Sequence, residues 1–190
     1  NPPLIPTNYP VYDRATLQKL VDNTDWLNGK IEETVTLDTV DEHIIDLTQN
    51  GGGYLQASAE IASEFLPEGD MIVYTNGRAY KQQEFRSRGG KAFQEGKIIV
   101  LVDEYSASAS EILAGAIQDQ DRGLVVGRRT FGKGLVQRPI ELPDGSMIRL
   151  TISKYYTPSG RCIQKPYEKG KEKEYRMDVI NRFNHGELTN

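Results

Sequence analysis

The sequence predicts an α/β fold in which helices pack on a β-sheet. Two near-continuous apolar segments, 44–48 and 97–104, have the composition of strands that are buried on both faces. The segments that follow them, 54–67 and 108–120, space their apolar residues as amphipathic helices do. Because strands and helices alternate in this order, we expect a parallel or mixed sheet with helices packed on it.

Shorter patterns predict the remaining elements. They are strands over 71–78 and 123–127, a hairpin over 135–157, and short helices over 13–28 and 177–183. The hairpin is expected to turn at Asp144-Gly145, because Asp-Gly between two apolar runs favours a tight turn. Composition then divides the chain into an N-terminal arm with a short helix over 1–40, a packed core over 41–167, and a charged C-terminal tail over 168–190.

Composition excludes several classes of protein. The 190 residues carry a formal net charge of −4 and form no basic stripe, which argues against a nucleic-acid surface. The single cysteine, Cys162, rules out a disulfide within the chain and fits either a reducing compartment or export without disulfides. No apolar run approaches the roughly 20 residues of a membrane span, and no signal peptide is visible.

Chemistry in an open α/β sheet is expected at the carboxyl ends of the strands. Three loops of this chain follow buried strands: QNGGG at 49–53, DEYSASAS at 103–110 and GRRTFGKG at 127–134. The spacing of histidines and cysteines matches no metal site. We therefore look for a metal-independent site in these three loops.

The first loop contains three consecutive glycines, Gly51, Gly52 and Gly53. One glycine would satisfy a tight turn. Three suggest that a ligand approaches the bare backbone, where N–H groups ahead of a helix bind an anion or an oxyanion. The dinucleotide fingerprint G-x-G-x-x-G is not matched, because Gln56 stands where its third glycine belongs.

The second loop places Ser106, Ser108 and Ser110 where a strand meets a helix. Helix capping and close packing would account for all three. Alternatively, one of them is a nucleophile at the positive end of the helix dipole. The nucleophile-elbow motif G-x-S-x-G is absent, so the residues alone do not choose among the three.

A nucleophilic serine needs a general base, and the third loop offers Lys133. The two histidines, His43 and His185, lie outside the three loops, so a Ser-His-Asp triad is not supported. Glycines on both sides of Lys133 allow close approach, and its apolar neighbours can exclude water and keep it neutral. A nucleotide-binding loop is disfavoured, because Gly134 replaces the hydroxyl that such a loop requires.

Together these segments resemble the C-terminal processing peptidases, also called tail-specific proteases. The similarity runs from about Ile44 to Tyr167, and its most specific part is S-A-S-A-S-E-I followed by F-G-K-G-x-V-Q. The resemblance implies a ClpP/crotonase-like α/β core with a mixed β-sheet flanked by helices. It makes residues 41–167 the protease catalytic core.

In that family, the catalytic serine and lysine are twenty-five positions apart, which selects Ser108 as the nucleophile and Lys133 as its general base. The resemblance also implies that Gln137 orients the lysine and that Thr130 hydrogen-bonds it. A Ser108 Oγ to Lys133 Nζ distance of roughly 2.6–3.2 Å would support the pair. The other implied positions are an oxyanion hole at Ala109 and Gly52, and supporting residues at Gly53, Glu111, Asp119 and Thr130.

The resemblance implies a serine endopeptidase that cleaves protein substrates engaged near their C-termini and uses no cofactor. Polypeptides are the expected partners, without nucleic acid or nucleotide. The expected location is periplasmic or otherwise extracytoplasmic, with any membrane association made through segments outside this chain. Two alternatives stay open: a non-catalytic relative that binds peptide or an apolar ligand in the same cleft, and a crotonase-like enzyme that acts on acyl thioesters.

The chain departs from the family pattern in several respects, which include a lead-in before His43 and a tail that are both shorter than in the family. Thr48 stands where family members have the arginine of D-L-R-x-N. Nothing in the chain resembles the PDZ domain that family members usually carry. We therefore expect a catalytic core from which stretches of the family domain are absent.

Overall fold

The computed structural model describes residues 42–89 and 93–188, which belong to one compact unit. The arm and helix expected within residues 1–40 lie outside the described residues. The elements in chain order are β1 (Glu42–Asp46), α1 (Leu55–Phe65), β2 (Met71–Asn76), β3 (Gln83–Arg86), β4 (Lys97–Val102), α2 (Ala109–Asp119), β5 (Leu124–Gly127), β6 (Leu135–Glu141), β7 (Met147–Tyr156), α3 (Glu172–Arg176) and α4 (Asp178–Asn184).

The strands form two sheets. The first is parallel, in the order β1-β4-β5, and the second is antiparallel, in the order β3-β2-β7-β6. Helix α1 lies in the connection from β1 to β4, and α2 connects β4 to β5, as parallel neighbours require. The predicted α/β class is confirmed, but two sheets replace the single mixed sheet. The reason is that the β6–β7 hairpin pairs with β2, a long-range choice that local patterns do not encode.

Helix α2 is buried along most of its length. Residues 109–117 are all buried, and Ile112, Ala116 and Ile117 lie in one apolar cluster with side chains of α1, β2 and β4. A helix surrounded by packed neighbours has to be apolar on every side, which explains the run ILAGAI at 112–117. The N-terminus of α2, where the second loop ends, is consequently held in a fixed position.

The segment after residue 168 folds into helices α3 and α4. Helix α4 confirms the helix expected at 177–183, whereas α3 and β3 were not predicted. Arg182 in α4 is buried, and an arginine is seldom fully buried unless it is paired. None of the helices in the described part of the chain has the length and apolar character that a membrane crossing needs.

Candidate active site

The loops that follow β1, β4 and β5 meet at one edge of the parallel sheet. The Ala107 amide donates to the Asn50 carbonyl at 3.0 Å, and the Ser110 hydroxyl donates to the same carbonyl at 3.0 Å. The Phe131 amide donates to the Ser106 carbonyl at 3.0 Å. The expectation that these three loops lie together is confirmed, because the carboxyl ends of parallel strands share one edge.

The three serines of the second loop differ in environment. Ser106 is fully buried, and its hydroxyl donates to the Leu47 carbonyl at 2.7 Å. Ser110 is also buried and bonded to the first loop. Only Ser108 is partly exposed, and its backbone adopts φ 57° and ψ −114°. This left-handed conformation is costly for a residue with a side chain, and it is typical of a serine presented on a sharp strand-to-helix turn.

Gly52 packs directly against this turn. Its φ is +88°, and a Cβ atom at this position would lie 2.4 Å from the Ala107 carbonyl oxygen and 2.6 Å from the Ala109 nitrogen. No side chain fits in that space, so the position requires glycine. The glycine loop therefore lies in contact with the backbone that presents Ser108.

The two amides expected to form an oxyanion hole differ in their hydrogen bonding. The Ala109 amide, in the first turn of α2, has no acceptor among the described residues. The Gly52 amide donates to Asn50 Oδ1 at 2.9 Å. An oxyanion would have to displace this side chain to use both donors. Asn50 was not among the site residues expected from the sequence, although an asparagine two residues before a glycine favours a local bond of this kind.

An apolar pocket of about 170 Å³ opens beside these groups. A cavity of this size can hold a benzene-sized group. Its wall includes Asn50, Gly52, Gly53 and Ala109 from the two loops. The apolar side chains that line it are Leu47, Tyr54, Ala57, Ile61 and Leu113. A substrate side chain next to the reacting bond could occupy this space.

The buried carboxylate of Glu111 joins the second and third loops. Its Oε2 accepts from the Ser108 amide at 2.8 Å and from the Lys133 amide at 2.8 Å. Its Oε1 accepts from the Thr130 hydroxyl at 2.7 Å and from the Gly132 amide at 2.6 Å. Charge-assisted bonds of this kind are among the stronger hydrogen bonds in proteins. Glu111 thus fixes the backbone of the loop at residues 128–134, here called the lysine loop, relative to the serine.

This shared oxygen sets a limit on the separation between Ser108 and Lys133. Two nitrogens that each lie 2.8 Å from the same oxygen are at most twice that distance, 5.6 Å, apart. The Lys133 side chain is nevertheless exposed, and within the described residues no hydrogen bond joins it to the Ser108 hydroxyl. The direct contact that would support the pair is therefore absent from this conformation.

The lysine loop differs from expectation in three respects. The Thr130 hydroxyl donates to Glu111, and among the described residues it makes no hydrogen bond to Lys133. Apolar neighbours do not enclose Lys133, because Phe131 instead lies against the ammonium of Lys165, 4.2 Å from its ring centre. Gly134 gives clearance to residues 163–164, a contact that the sequence did not indicate, since a Cβ there would lie 2.4 Å from the Gln164 nitrogen.

A match to a protein-family model identifies the family of this chain. The model for peptidase family S41 matches residues 16–173, more than four fifths of the chain. The chain belongs to peptidase family S41. The resemblance to C-terminal processing peptidases is thereby confirmed.

Individual S41 relatives agree with this assignment. A carboxyl-terminal-processing protease of Synechocystis is 49% identical over 125 residues, which cover 66% of this chain and 29% of the relative. The chloroplastic carboxyl-terminal-processing peptidase 1 of Arabidopsis thaliana is 45% identical over 116 residues, covering 61% of this chain and 24% of the relative. This S41 chain therefore spans less than a third of the length of these relatives.

A solved structure supports the fold of this S41 domain. The photosystem II D1 C-terminal processing protease superposes with a TM-score of 0.62 at 32% sequence identity. The match covers 79% of this chain and 36% of the solved chain. The fold of the S41 proteases thus accounts for most of this chain.

The remaining expected site residues of the S41 domain lie at its margins. Gln137 is exposed and sits in β6, where the pairing with β7 shifts register. Such a bulge re-aims side chains. Asp119 lies at the far end of α2, where it accepts from the Ser159 hydroxyl at 2.6 Å and pairs with Arg161. Thr48, at the family's arginine position, bonds Asp46 Oδ1 through its hydroxyl at 2.7 Å.

Proposed function

We propose that this S41 peptidase domain cleaves polypeptides with a Ser108–Lys133 pair. The observation that carries the proposal is the shared Glu111 oxygen, which limits the serine and lysine amide nitrogens to a separation of 5.6 Å. The strained backbone of Ser108 supports the same choice, since neither Ser106 nor Ser110 has a positive φ. Strain of this kind concentrates at functional sites.

We propose that a change of the Lys133 rotamer brings its Nζ to the Ser108 hydroxyl. A lysine side chain reaches roughly 6 Å from Cα to Nζ, as five bonds of standard length allow. That reach is comparable with the limit on the separation between the two amides. Apo sites often have loose catalytic contacts that tighten when substrate binds. Bound polypeptide would also cover the exposed ammonium and remove water from it.

The proposed reaction has two stages. Ser108 Oγ attacks the scissile carbonyl carbon while its proton passes to neutral Lys133 Nζ, and the tetrahedral oxyanion forms beside the Ala109 amide. The C–N bond then breaks as the lysine returns a proton to the leaving amine. Water attacks the acyl-serine ester by the same route, which releases the carboxylate product and restores Ser108.

The pocket beside Ala109 suggests what the substrate presents. Its apolar lining and volume of about 170 Å³ fit one medium-sized apolar side chain on the acyl side of the bond. We further propose engagement near the substrate's C-terminus and a periplasmic or otherwise extracytoplasmic location, both by family membership. Subcellular fractionation of the native protein tests the location.

Substitution of either residue of the pair tests the mechanism. Ser108→Ala and Lys133→Ala are each expected to lower kcat for an unstructured polypeptide by more than about 1,000-fold, because nucleophile and base act as a unit. An organofluorophosphonate reagent should label the wild-type chain and not Ser108→Ala. Ser110→Ala is the control, since it changes a neighbouring buried serine. In this variant the reagent should still label Ser108. Retained turnover in either Ser108→Ala or Lys133→Ala would contradict the proposal.

One alternative has a specific observation in its favour. The Lys133 ammonium makes no hydrogen bond to Ser108, and the Gly52 amide is occupied by Asn50. Both facts fit a relative that binds peptide in the same cleft without cleaving it. Binding of an apolar peptide to the wild-type chain, with no turnover and no labelling of Ser108, would favour that alternative.

A further inference from the structure

The lysine loop, residues 128–134, is held from two sides. On one side lies Glu111, described above. On the other side lies Arg182 of helix α4, which is 4% exposed and donates to the backbone carbonyls of Arg129 and of Thr130, the latter at 3.4 Å. Thr130 is therefore bonded through its hydroxyl to Glu111 and through its carbonyl to Arg182.

Glu187 fixes the orientation of Arg182. Its Oε1 accepts from Arg182 Nε at 2.8 Å, and the same carboxylate binds Arg129 at 2.9 and 2.8 Å. The Arg182 guanidinium thus has one carboxylate and two carbonyl acceptors, which satisfies a buried cation. An arginine fork can bridge several acceptors at once, a geometry that a lysine cannot reproduce.

The loop borders a cavity on this side. A cavity of about 420 Å³ is lined by four consecutive loop residues, 129–132, together with Lys165 and Asp178. Side chains next to a void lose contacts that would otherwise restrain them. Polar bonds therefore help to hold the loop: the Lys165 amide donates to the Gly132 carbonyl at 2.9 Å, and Arg182 is the tether that α4 supplies.

We propose that Arg182 is a positioning residue of the active site: from helix α4 it holds the backbone of the loop that carries Lys133. The C-terminal segment 178–187 thereby helps to hold Lys133 in position. The proposal rests on the Ser108–Lys133 pair of the proposed function. Misplacement of a catalytic group by about 1 Å can cost on the order of 100-fold in rate, so loosening this tether lowers kcat while leaving the substrate pocket intact.

Arg122 provides a matched control. Like Arg182 it donates to several backbone carbonyls, those of Phe65 at 2.9 Å, Gly96 at 2.8 Å and Phe93 at 2.9 Å. None of these carbonyls belongs to the lysine loop. Arg122 is half-buried and has no carboxylate among these partners, but Arg122→Gln also removes several bonds to backbone carbonyls, and it separates a general loss of stability from a loss of loop position.

The experiment compares Arg182→Gln, Arg182→Lys and Arg122→Gln in the full chain. Hydrogen exchange at the Gly132 and Lys133 amides is expected to accelerate at least about tenfold in Arg182→Gln relative to Arg122→Gln, because local opening of the loop becomes easier. With an unstructured polypeptide, Arg182→Gln should lose at least about tenfold in kcat with KM within about twofold. Arg182→Lys should recover part of both effects. It also serves as the test variant should Arg182→Gln fail to fold.

The outcomes separate this proposal from the proposed function. Equal loop exchange and equal kcat in the Arg182 and Arg122 variants would overturn the positioning role, whether or not the pair is correct. In another outcome, loop exchange accelerates in Arg182→Gln, but the wild-type chain neither cleaves the polypeptide nor is labelled at Ser108. That result would support the tether and contradict the Ser108–Lys133 pair. Accelerated exchange together with a selective fall in kcat supports both.

Discussion

At the scale of single residues, Ser108 and Gly52 form one unit. Ser108 has an uncommon backbone conformation, and the turn that creates it leaves no room for a side chain at position 52. The glycine is needed for two separate reasons, its φ of +88° and the contact with the Ala107 carbonyl. The cost of a side chain with positive φ and the cost of the close contact can be measured separately. Gly69 also has a positive φ, but no atom lies close to the place where its Cβ would stand.

We predict that Gly52→Ala and Gly69→Ala differ sharply. Gly69 has a φ of +90°, and no atom lies within 4 Å of the place where an alanine methyl group would stand. Alanine there should cost only about 1–2 kcal/mol, the penalty for a left-handed residue. Gly52→Ala should unfold at clearly lower urea concentration and lose cleavage, because the methyl would meet backbone at 2.4 Å. Equal urea midpoints for the two variants would show that the close approach is unimportant.

At the scale of elements, the site depends on how α2 and the lysine loop are joined. Local patterns predicted both elements, and they predicted that the loops would share one edge of the sheet. The resemblance suggested a supporting role for Glu111, but the pattern gave no sign that its carboxylate accepts four hydrogen bonds. Its partners lie 3 to 22 residues away, and packing alone brings the distant ones together.

We predict that Glu111→Gln is far more damaging than Glu104→Gln. An amide has one acceptor oxygen, so the substitution leaves buried N–H groups unpaired at about 1–3 kcal/mol each. Glu104 is also buried, but its ion pair, with Arg128 at 2.7 Å, has a partly exposed partner, so its loss should cost less, about 1 kcal/mol. Urea unfolding of both variants checks the order, and a smaller loss in Glu111→Gln than in Glu104→Gln would contradict it.

At the scale of the whole molecule, the C-terminal segment is attached to the core through charged groups. Lys165 pairs with Asp178 at 3.1 Å, and Arg129 and Arg182 share Glu187. The hydrogen bond from Arg129 is the main reason that the pKa of Glu187 lies below its ordinary value, with the charge of Arg182 acting in the same direction and burial opposing both. The attachment should therefore depend on pH.

We predict that acid weakens this attachment. A carboxyl whose folded pKa lies below the unfolded value of 4.5 contributes stability above that pH, and the contribution disappears as the pH falls through the folded pKa. The free energy of unfolding of the wild type should exceed that of Glu187→Gln at about pH 7, and the difference should shrink as the pH falls below 4.5. Urea unfolding at a series of pH values checks this. If the difference in free energy of unfolding stays constant as the pH is lowered, ionised Glu187 does not stabilise the attachment.

The sequence by itself determined the α/β class, most helices and strands, and the meeting of three loops at one sheet edge. Periodicity and glycine placement record interactions between residues that are close along the chain, so these features can be read locally. Choosing Ser108 and Lys133 needed the family resemblance as well. Only the tertiary structure decided the division into two sheets, the distant partners of Glu111 and the burial of Arg182. Each of these depends on contacts between distant segments, such as the 53 residues that separate Arg129 from Arg182, and local patterns carry no record of which distant groups will meet.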